Sequence, residues 1–139
     1  MARQTFCNTD SDGVKRVWDV ERLWDLSKVL PVKEVPVDSI HALDEVTWFD
    51  YEPSQHPTCR RVTEHAKRIY EATFDFPVIL SSAGWVMDGM HRVCKAYLLG
   101  LERIQVVQFD EDPEPDHVFR AAFKAANEEN VLAAIASPK

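Results

Sequence analysis

At 139 residues the chain is the size of one domain with a modest core, and its 45% hydrophobic and 28% charged residues exclude disorder of the whole. A net charge of -7 works against generic attraction to a phosphate backbone, which needs clustered Lys and Arg, so nucleic acid is not an expected partner of this chain alone. The three cysteines, Cys7, Cys59 and Cys94, are too widely spaced for a zinc C-x-x-C pair and odd in number for a disulfide framework; with no apolar leader and no run of about 18 apolar residues, the expectation is a cytoplasmic protein that spans no membrane.

Residues 1–13 are polar, end in Asp12 and Gly13, and read as a flexible lead-in; one domain is expected over 14–139. VKRVWDVERLWDLSKVL, residues 14–30, spaces Val14, Val17, Trp18, Leu23, Leu26 and Leu30 at helical intervals before Pro31, which predicts an amphipathic helix with Trp18 and Trp24 in the core. VKEVPVDSI, residues 32–40, is β-rich but carries Pro36, the mark of an edge strand or a strand end. Residues 41–58 hold two prolines, several acids and three aromatics without a period, which predicts a long ordered loop. Trp48, Phe49 and Tyr51 within it are suited either to stacking on a base and shaping a pocket or to packing as a lid.

Thr58 is placed to cap a helix through CRRVTEHAKRIYEAT, in which Val62, Ala66 and Ile69 share a face. Arg60 and Arg61 at its start are expected to pair with Glu64 or with the acids at 44–45, since cations sit badly at a helix N-terminus. PVIL and WVMD flank Ser81, Ser82, Ala83 and Gly84, a hairpin signal. Beyond Gly89 the period changes: Val93, Ala96 and Tyr97 predict a helix with Gly100 just past its end. RIQVVQF, residues 103–109, predicts a strand, and the segment from His117 to Ala136 a closing helix. The mixed order of elements points to an α+β fold.

WVMDGMHRV carries the chemistry. A glycine between strand and helix permits a sharp turn and close ligand approach. The first amides of the helix lack intrahelical partners and lie at the positive end of its dipole, so they favour a phosphate. Gly89, Met90, His91 and Arg92 occupy that turn. Arg92 supplies a guanidinium suited to bidentate phosphate contact and His91 a proton donor or acceptor near neutral pH. Asp88 would bind Mg²⁺ or accept a hydroxyl proton, and Lys95, one turn on, adds a second cation or extends to solvent. Against this stands a structural role, with Asp88 capping the helix, His91 bonded to a carbonyl and Arg92 paired to an acid. His56, His65 and His117 form no ligand pair of recognisable spacing and read as surface histidines.

The D-G-x-H-R box at Asp88–Arg92, the VPVDSI strand, PVIL, the helix closing on Gly100 and the strand VVQF together resemble the ParB/sulfiredoxin superfamily over roughly residues 32–110. The resemblance implies a compact α+β domain that holds nucleotide phosphates at the glycine turn, with ATP or CTP and Mg²⁺ as cofactors. It also implies that small mixed-sheet architecture carries added N- and C-terminal helices here. Sulfiredoxins have a catalytic cysteine where this chain has Met90, and a thioether is no substitute for a thiolate, so that activity is not expected. Partition clamps continue into a DNA-reading region for which the residues after Phe109 are too few. The small kinases that phosphorylate free serine share the D-G-x-H-R form and use a glutamate after the first strand; the matching HALDE places Asp44 or Glu45 in that role, without the Pro-His around it. The resulting expectation is a phosphotransferase acting on a small hydroxylated acceptor. The alternative is a non-catalytic module, related to chromosome partitioning proteins, that senses nucleotide or contacts a protein. A homodimer is left open, and a nuclease is disfavoured because no second metal-binding carboxylate clusters with Asp88.

Overall fold

The computed structural model describes residues 4–120, an α+β arrangement of two small sheets and three α-helices. Contacts among the described residues divide the chain into two compact units, one of residues up to Arg22 with those from Glu114, the other Leu23–Pro113.

In the first unit β1 (Thr5–Thr9) pairs antiparallel with β2 (Lys15–Asp19), and β7 (His117–Phe119) pairs antiparallel with β2 on its other side. Residues 5–9 of the expected lead-in therefore form a strand. Phe6 stands opposite Trp18 in the register, with ring centroids 5.7 Å apart, and such cross-strand aromatic pairs stabilise a sheet. Asp10 closes the turn: its Oδ1 accepts from the amides of Asp12 and Val14, and its Oδ2 from Arg16 Nη1 at 2.9 Å. These donors hold its carboxyl below the usual carboxylate range, the Arg16 hydrogen bond foremost. The same pairing takes residues 15–19 from the expected helix, leaving α1 as Val20–Ser27. Helical spacing in 14–19 is outvoted because Val17 and Trp18 also suit a strand and have partners across the ladder. The closing helix is corrected likewise: His117–Phe119 are β7, Arg120 is not helical, and residues 121–136 of it lie outside the described residues. Trp18 is buried, whereas Trp24 is 46% exposed.

The second unit is built on a four-stranded mixed sheet of order β3-β6-β4-β5. β3 (Lys33–Pro36) is an edge strand ending at Pro36, as its proline demands, antiparallel to β6 (Arg103–Gln108). β6 runs parallel to β4 (Val78–Leu80), and β4 forms the expected hairpin with β5 (Val86–Asp88). After β3 the chain makes 3-10 turns at Val37–Ser39 and His41–Asp44, then a long segment with one more at Pro53–Gln55. α2 (Cys59–Glu71) starts under the Thr58 cap, whose Oγ1 accepts from the Arg61 amide at 3.2 Å. α3 (Met90–Leu98) follows β5 directly and ends in the expected glycine. The Gly100 amide donates to Tyr97 O and the Leu101 amide to Ala96 O, with Gly100 at φ 72°, the paired bonds of a Schellman ending.

One side of this sheet carries the core. Val78, Leu80, Ile104 and Val106 meet Val93 and Ala96 of α3 and Val37, Ile40 and Ala42 of the 3-10 turns. Alternation turns Ile79 and Val107 to the opposite side, and both are buried too. α2 contributes no buried residue: Val62 and Ala66 are exposed and Ile69 half-buried, so the apolar face expected there is not a core face. No helix among the described residues is long and apolar enough to cross a membrane. Leu80 is 5% exposed in this cluster, and Leu80→Ala is expected to lower unfolding free energy by roughly 2–5 kcal/mol, read as a reduced urea midpoint at unchanged slope.

Candidate functional site

The turn from β5 into α3 is set by Gly89. Its φ of 106° and ψ of 21° are left-handed, and a Cβ there would come within 3.1 Å of both Arg92 Cζ and Val78 Cγ2. Backbone and space both demand glycine. No side chain caps α3, so Asp88 is not the cap, and the first-turn amides lack intrahelical acceptors by the geometry of a helix.

Asp88 and Arg92 form an ion pair across this turn, Arg92 Nη2 donating to Asp88 Oδ2 at 2.8 Å with each side chain 16% exposed. Trp24 Nε1 donates to the same oxygen at 2.8 Å. Oδ1 accepts no hydrogen bond among the described residues. Arg92 Nη1 donates to the carbonyls of Phe76 and Pro77 at 2.6 and 3.0 Å. The guanidinium thus braces the segment before β4 against the strand-to-helix turn, with its charge balanced by Asp88, rather than standing free for a phosphate. Lys95 is similarly engaged: its ammonium donates to Tyr70 O and Ala72 O at 2.7 Å each, where a cation complements the C-terminal end of α2.

His91 stands on the first turn of α3, half-buried. Its Nε2 shares a hydrogen bond with His65 Nδ1 of α2 at 2.9 Å, and Trp48 covers both rings, stacked at 4.3 Å on His65 and 4.5 Å on His91 within about 12° of parallel. Phe49 meets His65 edge-on at 5.5 Å. Burial, then the neighbouring His65 and Arg68, push the His91 pKa down to about 4. Burial, then Arg68 and Arg61, lower that of His65. Both shifts favour the neutral rings, and two neutral imidazoles 2.9 Å apart share one proton between the facing nitrogens.

His65 is thus no surface histidine. It lies 26 positions before His91, a separation at which no motif spacing operates; the only local clue is that two positions of neighbouring helices carry imidazoles. Asp44 and Glu45 are exposed, at and just after the second 3-10 turn, and no hydrogen bond or ion pair among the described residues joins either to Asp88 or His91. Met90 is half-buried against the core. Arg61 makes no salt bridge among the described residues; Nη2 donates to Gln55 Oε1 at 3.0 Å and Nε is buried without a hydrogen-bond partner among them. Cys94 is half-buried, and burial raises its thiol pKa, which makes it a poor nucleophile.

Beside Phe49, an open concavity of about 690 Å³ is lined by Val46, Phe49, Asp50, Tyr51, His56, Pro57 and Thr58. Its walls are held by their own bonds: Asp50 Oδ1 accepts from the Glu52 amide and His56 Nε2 meets Tyr51 O, both at 2.7 Å. Of the three loop aromatics, Trp48 is the lid over the histidines, and Phe49 and Tyr51 shape the concavity.

No three His, Cys, Asp or Glu side chains among the described residues are grouped to hold a metal ion. Mg²⁺ needs less when phosphate oxygens and water complete its shell, and the free Oδ1 of Asp88 fits that use. Comparison with protein-family models, with curated proteins and with solved structures finds no match to the chain.

Two measurements check this geometry. Arg92→Met strands the Asp88 carboxylate and two carbonyls, so it is expected to cost about 3 kcal/mol of stability by chemical denaturation, whereas a free surface arginine would cost almost nothing. Acid should also destabilise the fold, because unfolded histidine takes its proton near 6.5 and folded His91 only near 4. Stability is full above pH 6.5 and declines as pH falls toward 4; His91→Gln should flatten that part of the Tm profile.

Proposed function

We propose that the chain binds a nucleotide, ATP or CTP with Mg²⁺, through its terminal phosphates at the start of α3, and transfers phosphate to a small hydroxylated acceptor. The observation that carries this reading is the first turn of α3, with no side-chain cap, behind a left-handed Gly89, with Asp88 at the strand end before it, its Oδ1 without a hydrogen bond among the described residues, and His91 on the turn itself. Amides at a helix start favour an oxyanion. A carboxylate oxygen suits a phosphate-bound cation, and a neutral imidazole is competent to take a hydroxyl proton. The resemblance of the D-G-x-H-R box to nucleotide-binding members of the ParB/sulfiredoxin superfamily supports the same assignment.

Arg92 and Lys95, on this reading, shape the site rather than touch the ligand. The positive end of the helix and the Mg²⁺ then carry the charge neutralisation on which phosphoryl transfer depends. Phe49 and Tyr51 offer apolar surface to a base. Asp44 and Glu45 retain a role only toward the acceptor. A thermal-shift series with ATP, CTP and GTP, with and without Mg²⁺, is the test. Ligand at 100 times its Kd is expected to add about 2.7 kcal/mol of stability, a clear rise in Tm. Asp88→Asn should abolish the Mg²⁺-dependent part. No rise with any nucleotide would sink the proposal.

A further inference from the structure

Two histidines that hydrogen-bond each other through one nitrogen apiece leave one nitrogen at each outer end. Here those are His91 Nδ1 and His65 Nε2, and neither takes part in a hydrogen bond among the described residues. With both rings neutral, one outer nitrogen carries a proton and the other is bare, and the direction of the central N–H decides which. We infer that His65 and His91 act as one proton relay, closed over by Trp48, that accepts the proton of the substrate hydroxyl at His91 and releases one from His65. This rests on the phosphotransfer reading above and deepens it by adding His65, to which sequence spacing assigns nothing.

The atoms balance without a further reactant. Before transfer, His91 Nε2–H donates to His65 Nδ1, His65 carries a proton on Nε2, and His91 Nδ1 is bare. As the acceptor oxygen forms its bond to phosphorus, the bond to the leaving diphosphate oxygen breaks and that oxygen keeps the electron pair. The hydroxyl proton goes to His91 Nδ1, the central proton crosses the 2.9 Å gap to His65 Nδ1, and the proton on His65 Nε2 goes to water. Neither ring need become an imidazolium, which matters because burial opposes charge on both. The stacked indole serves the same end by keeping water from one face of both rings and holding them in plane. The charged groups that bear on the pair are Arg61, Glu64 and Arg68, all on α2; from the loop the facing groups are the uncharged rings of Trp48 and Phe49.

The test has a spectroscopic and a kinetic arm. Two-bond imidazole ¹H–¹⁵N spectra of the unaltered protein should show His91 still neutral at pH 5, with both rings in the same Nε2–H tautomer at neutral pH and joined by one slowly exchanging ring proton. Two imidazoles titrating independently near 6.5 would overturn the relay, and this result needs no nucleotide and no variant. In the kinetic arm, His65→Gln keeps a hydrogen-bonding partner for His91 but cannot pass a proton onward. It should lower kcat on the order of 100-fold, the usual worth of a proton-transfer group, at unchanged KM for ATP and with a new acid limb in its pH profile. Wild-type kcat in His65→Gln would overturn the relay even where the dyad spectrum is intact. Absence of nucleotide binding by the unaltered protein, with that spectrum intact, would instead bring down the phosphotransfer reading and the relay's role in it together.

Discussion

Arg92 donates to Asp88, Phe76 and Pro77 at once, over a glycine that has no Cβ to obstruct it. This brace joins the segment entering β4 to the end of β5 and the start of α3, three pieces of chain that must be in register before the site exists. A guanidinium suits the task because its planar fork presents several donors in fixed directions and keeps its charge at any relevant pH. Asp88 balances the charge and, with Trp24 also on Oδ2, is held in one defined orientation that leaves Oδ1 without a hydrogen bond among the described residues. Residues that sequence chemistry assigns to ligand binding thus divide into those that build the turn and those that face outward from it.

The outward-facing part is electrically unusual. Two cations near the turn are engaged, Arg92 on a carboxylate and Lys95 on the end of α2, while Arg68 of α2 bears on His91 and His65 and lowers their pKa values. Aligned backbone dipoles at the helix start add to that charge in favouring an anion. Burial and the neighbouring arginine together favour the unprotonated imidazole, which can accept protons at neutral pH. Trp48 connects the two features, since it comes from the loop after β3 and rests on one residue of α2 and one of α3.

Much of the second unit was legible from residue pattern: the edge strand ending at Pro36, the Thr58 cap, the hairpin around Ser81–Gly84, the glycine turn at Gly89 and the Gly100 ending are each local signals with a local cause. The first unit was not. Residues 14–19 satisfy a helical period and a strand composition equally, and only pairing with β1 and β7 separates them. A polar run such as 1–13 reads as a lead-in until a partner strand for Thr5–Thr9 is known. α2 shows the converse failure, a helix predicted correctly whose apolar stripe stays largely uncovered.

For the site, the sequence by itself determined where the turn lies and which residue types stand on it, because Gly89 and its neighbours are adjacent and the reasons for a strand-glycine-helix junction are local. Only the tertiary structure decided what those side chains touch. The partner of His91 comes from another helix, its cover from a loop, and the partners of Arg92 from backbone carbonyls that no residue identity announces. Hydrogen bonds and burial are properties of distance in space, and the separations of 26 positions to His65 and 64 between Trp24 and Asp88 become contacts only once the chain has folded.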